Sequence, residues 1–262
     1  MITFIQGRLP EKQAARRKED VVEFVRKRLG FEPDEKQALA LRSTAKRGIL
    51  NCCRQWGKST VAAAKAVHRA YTAAEQTVLV ASPSLRQSGE FLRKAAGMAR
   101  QLGVAVRGDG YNACSLLFPN GSRIVALPAA EGRVRGFSAV SLVVVDEAAR
   151  VPDGLCQALR PMLARSNGDL WMMSTPWGKQ GFFYESWVNS GDEWERIEAT
   201  ALECAGIPAA FLEEERRQKS GMLFGQEYMC QFSGVGGSLF DGGLVDDAVR
   251  GDVNALLLTF DR

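Results

Sequence analysis

Four apolar runs decide what this chain can fold into. GILNCC (48–53), TVLVAS (77–82), SLVVVDE (141–147) and DLWMMST (169–175) hold Val, Leu, Ile and Met without the polar alternation of a half-exposed strand. A strand that is apolar on both sides must be covered on both faces, which is the environment of a parallel sheet sandwiched by helices. Helix-like stretches separate the runs: an Ala-rich one over 59–74, a long one over 84–102 with Ser84 as its cap, and another over 153–164. The chain therefore reads as α/β, with a mainly parallel central sheet flanked by helices. SLLFP and SRIVALP, joined by Asn120-Gly121, add an expected β-hairpin. Upstream, residues 11–29 alternate charges with one apolar stripe that Gly30 closes. Asp34 is placed to cap a further helix through about residue 45.

Past Trp194 the texture changes. Residues 208–230 read as helical and acidic, and 233–251 hold six glycines, the composition of a linker or lid. The expected organisation is a basic helical arm (1–30), an α/β core (31–200), a small C-terminal helical lid with a Gly-rich linker (201–254), and the start of another domain (255–262).

With 46% hydrophobic and 24% charged residues, the 262-residue chain has the composition of a globular domain large enough to bury a core. No apolar run approaches the roughly 18 residues of a membrane span, and the N-terminus lacks an apolar signal core. Six scattered cysteines without a C-x-x-C pair, together with a single histidine, leave zinc-finger ligation and His-centred nucleophilic catalysis poorly supplied. The cysteines read as reduced and intracellular, and His68 as a helix-face residue. The net charge of +4 conceals a polarity: residues 1–136 carry 24 Lys/Arg against 11 Asp/Glu, and 137–262 carry 10 against 19. Such a basic half suits an anionic partner.

The first strand runs into Cys52-Cys53-Arg54-Gln55-Trp56-Gly57-Lys58-Ser59-Thr60 and then the Ala-rich helix. Gly-Lys-Ser between a buried strand and a helix is the setting of a phosphate-binding loop, here with Cys52 where the pattern's first glycine would stand. Backbone N–H groups at the helix start suit phosphate oxygens. Lys58 is placed to reach the β/γ oxygens and Ser59 to complete a Mg²⁺ shell. The third apolar run ends in Asp146 and Glu147, at the strand end where parallel sheets bind ligands. Asp146 is the expected metal holder and Glu147 the expected general base toward water. Trp56 is expected to shield the nucleotide or pack on a neighbour, and Trp177 to lie in the core.

The combination resembles the large terminase subunit of tailed bacteriophages, the ATP-driven motor that packages DNA into procapsids. The likeness runs from about residue 31 to 180, and it implies a P-loop NTPase fold with ATP and Mg²⁺ as cofactors. Phe31-Glu32-Pro33-Asp34-Glu35-Lys36-Gln37 is similar to the family's adenine-recognition segment, with Gln37 as the base-reading amide. Met172-Met173-Ser174-Thr175-Pro176 is similar to its coupling motif, in which Ser174, Thr175 and Pro176 respond to the γ-phosphate. Arg133-Val134-Arg135-Gly136 stands where the family carries an arginine that acts on a neighbouring subunit's ATP. A catalytic arginine is thus expected from Arg135 in trans, from Arg54 in cis, or from both. Leu256–Asp261 resembles the first strand of the family's RNase H-like nuclease domain, and no nuclease activity is expected of this chain.

The resemblance further implies double-stranded DNA, a portal protein and a small terminase subunit as partners. It implies assembly as a homo-oligomeric ring (a pentamer), and a place in the bacterial host cytoplasm and on the procapsid, with no membrane. Arg86, Arg93, Lys94, Arg100 and Arg107 are candidate DNA contacts, since a motor grips phosphates rather than sequence. Two other readings share the same motifs: a helicase-like DNA translocase, and a nucleotide-gated binding module without turnover.

Overall fold

A computed structural model describes residues 19–112, 114–129 and 136–234. Leu256–Asp261, Arg133–Arg135, most of the N-terminal arm and all but the first residues of the Gly-rich stretch lie outside the described residues.

Asp20 caps the first helix, α1 (Val21–Leu29), by accepting from the N–H groups of Val22 and Glu23; Gly30 closes it at φ 56°. Asp34 and Gln37 form a reciprocal capping box that starts α2 (Glu35–Arg42). Strand β1 (Arg47–Cys52) and helix α3 (Lys58–Thr72) flank the phosphate-loop sequence. They are followed by β2 (Thr77–Ser82), α4 (Leu85–Gln101) with its Ser84 cap, and the pair β3 (Ser115–Leu117) and β4 (Arg123–Pro128). Then come β5 (Leu142–Asp146), α5 (Gly154–Leu163), β6 (Asp169–Ser174), α6 (Gly181–Asn189) and β7 (Trp194–Ala199). Two short helices, α7 (Ala209–Gln218) and α8 (Gly221–Tyr228), complete the described chain.

The seven strands form one sheet in the order β3-β4-β2-β5-β6-β1-β7, parallel throughout except for the β3–β4 hairpin. The unbroken apolar runs find their cause here. Along β5, Leu142 and Val144 point into a core shared with α1–α4, α7 and α8, whereas Val143 and Val145 point into a second core on the opposite face with α5 and α6. Each successive residue therefore meets an apolar layer. Gly48 is the one position of β1 where a side chain has no room: a Cβ there would lie 2.5 Å from the ring of Trp171, its register partner on β6. His68, on α3, packs edge-to-face on Phe24 with ring centroids 5.0 Å apart, as the helix-face reading required.

Two elements went unread in the sequence. Strand β7 joins the sheet edge parallel to β1, and α6 precedes it. WERIEA is half charged, and only three of its six residues are buried, so it lacks the apolar continuity of the inner strands. Beyond it, Ala201, Cys204, Leu212, Phe224, Tyr228 and Cys230 pack into the same core as α1–α3. All six cysteines are free thiols. Among the described residues, no helix is long and apolar enough to cross a membrane.

Candidate nucleotide site

The strand order brings the expected residues together. Parallel strands end at the same height, and β6 lies between β1 and β5, with Asn51 level with Ser174 and Asp146 level with Met173. The phosphate loop, the acidic pair and the Ser174-Thr175-Pro176 segment thus emerge side by side at the C-terminal edge of the sheet.

The loop leaves β1 with Gln55 at φ 65° and turns into α3 at Gly57, whose φ of 91° lies in the left-handed region that favours glycine. Lys58 is 8% exposed, and its Nζ lies 3.1 Å from Thr175 Oγ1 and 3.3 Å from Glu147 Oε1. Ser59 Oγ is 3.3 and 3.4 Å from the two carboxylate oxygens of Asp146. Ser174 Oγ donates to the Thr175 carbonyl at 2.7 Å and reaches Glu147 Oε2 at 3.5 Å. Glu147 holds a left-handed φ of 52°, which a residue with a Cβ adopts at a cost of roughly 1–2 kcal/mol. Such strain at a strand end aims a side chain where relaxed backbone would not.

Burial, and after it the adjacent Glu147 charge, push the Asp146 carboxyl up to about 6 against the opposing charge of Lys58. A divalent cation would remove that penalty. Ser59 and Asp146 fit Mg²⁺, which favours one or two carboxylates completed by phosphates and water over an all-protein cage. Among the described residues, no group of three or more His, Cys, Asp or Glu is arranged to hold a metal.

Other expected residues sit differently. Gln37 is buried beside the loop, and both ends of its amide are in use: Oε1 accepts from Asp34 N–H at 3.0 Å, and Nε2 donates to the Trp56 carbonyl at 2.6 Å. One amide N–H remains for a ligand. Trp56 is buried at 4% exposure within the protein's own core. Thr60 N–H donates to the Gly57 carbonyl inside the first turn of α3. Arg54 is exposed, its Nε 3.5 Å from Glu227 Oε1, and its backbone N–H donates to the Glu227 carbonyl at 2.9 Å. Its side chain therefore stays outside the Lys58–Glu147–Thr175 cluster. Arg135 lies outside the described residues. Trp177 differs from the core reading: it is 48% exposed, and Arg150 lies over its ring at 4.7 Å. No sequence motif marks Arg150, although its place three residues after Glu147 puts it within reach of that carboxylate.

Comparison with known proteins bears on which P-loop family this is. The family model described as terminase large subunit, T4likevirus-type, N-terminal, matches residues 49–245. The chain belongs to this large terminase family. The terminase large subunit of Thermus virus P23-45 is 26% identical over 250 residues, covering 82% of this chain and 51% of that protein, so the chain spans about half the length of this curated relative. Among solved structures, the Thermus phage P74-26 large terminase ATPase domain superposes with a TM-score of 0.69 at 23% identity, covering 80% of this terminase chain and 97% of the other. The large terminase of a thermophilic bacteriophage in complex with ADP superposes with a TM-score of 0.65 at 16% identity, covering 76% and 53%. These structures share the fold of the present chain.

Proposed function

We propose that this chain is the ATPase motor domain of a phage large terminase, hydrolysing ATP to drive double-stranded DNA into a procapsid. The observation that carries the reading is the convergence of Lys58, Ser59, Asp146, Glu147 and Thr175 at the ends of β1, β5 and β6. Lys58 is a buried cation whose anionic partner, Glu147, a γ-phosphate would replace. ATP enters with its phosphates on the Gly57–Thr60 backbone at the start of α3 and its β/γ oxygens on Lys58. Ser59 and Asp146 would hold Mg²⁺, which would supply neutralisation of phosphate charge. Glu147 orients the attacking water and takes its proton as the bond from the γ-phosphorus to the leaving ADP oxygen breaks. Gln37 offers its remaining N–H to adenine.

Thr175 shares Lys58 with the phosphate, so loss of the γ-phosphate is felt at Ser174–Pro176, the proposed coupling segment. Arg135 from a neighbouring copy, or Arg54 from the same chain once its side chain leaves Glu227, completes the charge around the transition state; one such donor contributes several kcal/mol, on the order of 3. The proposed assembly is a homo-oligomeric ring, a pentamer, that works with a portal protein and a small terminase subunit on the procapsid in the host cytoplasm. Arg86, Arg93, Lys94, Arg100 and Arg107 are all exposed along α4 and the following loop, and are proposed to meet DNA phosphates.

ATP turnover with and without linear duplex DNA, at several protein concentrations, tests this reading. Lys58→Ala and Glu147→Ala should each abolish hydrolysis, and a trans arginine makes the specific rate rise with concentration. Full activity in either variant would refute the site.

A further inference from the structure

Glu147 is gripped on both sides. Lys58 holds Oε1 at 3.3 Å, and Arg150 Nη1 holds Oε2 at 3.1 Å. Arg150 ends the single 3₁₀ turn Ala148–Arg150 that follows β5, and its backbone N–H donates to the Glu147 carbonyl at 2.9 Å. The two residues therefore share one short, hydrogen-bonded unit. The guanidinium lies over the Trp177 ring, 4.7 Å from its centroid. Trp177 is nearly half exposed and follows directly on Ser174-Thr175-Pro176. An exposed tryptophan at that place has a use if it fixes the plane of an arginine, because a stacked guanidinium keeps its donor fork in one orientation.

The two grips differ in what a nucleotide does to them. Lys58 faces the phosphate-binding side, and its charge is drawn to the β/γ oxygens when they arrive. Arg150 sits beyond Glu147 and keeps its hold. A general base acts only if its lone pair is aimed at a water within hydrogen-bond reach. The left-handed backbone at Glu147 sets the direction of its Cα–Cβ bond, and a contact on Oε2 sets the carboxylate plane.

We propose that Arg150, lying over the Trp177 ring, is the positioning residue for Glu147, so that the exposed end of the coupling segment helps aim the catalytic carboxylate. The proposal rests on the ATPase reading above. It also supplies a second route, apart from Lys58–Thr175, by which Ser174–Trp177 and the reacting centre feel each other.

Steady-state and single-turnover ATP hydrolysis test it, with a thermal melt of each variant as the folding check. Arg150→Ala should lower kcat about 10- to 100-fold with KM nearly unchanged, the signature of a misaimed base rather than lost substrate binding. Arg150→Lys restores the charge without the planar fork and should recover only part of the rate; Arg150→Gln replaces the alanine variant if that fails to fold. Trp177→Ala should slow turnover less than Arg150→Ala, and the double variant should be no slower than Arg150→Ala alone, because one acts through the other. In a Glu147→Gln background, Arg150→Ala should leave the residual single-turnover rate within about twofold. The proposal is overturned if Arg150→Ala keeps wild-type kcat, or if its effect persists undiminished in the Glu147→Gln background. Wild-type turnover that Lys58→Ala abolishes but Arg150→Ala leaves intact refutes this inference alone. Absence of wild-type turnover refutes the ATPase reading and takes this inference with it.

Discussion

Gln37 offers the sharpest test of how the loop is held. Its carboxamide closes the capping box of α2 at one end and accommodates the Trp56 carbonyl at the other, the latter at 2.6 Å in a buried setting. Gln37→Leu removes both contacts. Gln37→Glu retains an acceptor for Asp34 N–H but sets a carboxylate against the Trp56 carbonyl oxygen. Leaving a buried carbonyl without its donor costs about 1–3 kcal/mol, and loss of the return bond of the capping box, from Asp34 N–H, adds roughly 0.5–1.5 kcal/mol, the Asp34 cap itself being kept. Urea unfolding should therefore place both variants below wild type. Nucleotide affinity separates two roles for the same amide. If Gln37 acts by bracing the loop, binding of ATP and of GTP weakens by the same factor, about tenfold for each 1.4 kcal/mol lost from loop preorganisation. If the remaining N–H reads adenine, ATP weakens more than GTP and base selectivity falls. Competition binding with both nucleotides reads this directly. Wild-type stability and wild-type affinity for both in Gln37→Glu would refute the bracing role that the 2.6 Å contact implies.

Burial at two sites gives the folded protein opposing responses to pH. His68 is pushed down to about 4 by burial from an ordinary 6.5, so between those values the unfolded chain holds the extra proton and stability rises with pH. Asp146 is raised to about 6 from 3.8, so between those values the native state holds the extra proton and stability falls with pH. Relative to wild type, His68→Leu should lose the rising component and Asp146→Asn the falling one, each worth up to about 3 kcal/mol in denaturant titrations across pH 4–7; unchanged slopes in both variants would refute the assignments. Asp146→Asn should also gain stability at pH 7 without nucleotide yet lose the Mg²⁺-dependent part of ATP-induced stabilisation, read by thermal shift with and without chelator. Gly48→Ala drives a Cβ into the Trp171 ring and should cost at least about 1–3 kcal/mol, a lower melting temperature with the same ligand specificity.

The convergence of the candidate site was legible because its parts lie next to strong local signals. Lys58 and Ser59 follow an apolar strand, Asp146 and Glu147 end one, and parallel pairing brings such ends to one edge. β7 was not legible, since Glu195, Arg196 and Glu198 give it the polarity of an edge strand or a loop. Arg54 illustrates a different limit. Its place inside the loop suggested a phosphate contact, but its position beside α8 brings Glu227, a residue 173 positions away, to its guanidinium. Arg150 and Trp177 were beyond reach for a related reason: their contact joins the ends of two strands, and neither residue belongs to a motif on its own.

The strand order has a consequence for how the chain is made. β1 is synthesised first of the seven, yet its only neighbours are β6 and β7, more than a hundred residues later. β2, β4 and β5 can pair as soon as they leave the ribosome, whereas Ile49 and Leu50 wait with both strand edges open until residues 169–199 emerge. Long-range parallel pairing of this kind is slow and leaves apolar edges exposed meanwhile. The phosphate loop hangs on that strand, so nucleotide binding becomes possible only after the last strand of the sheet is in place. Ribosome-bound chains ending before residue 169 should fail to retain ATP, and should associate with holdase chaperones through the unpaired strand.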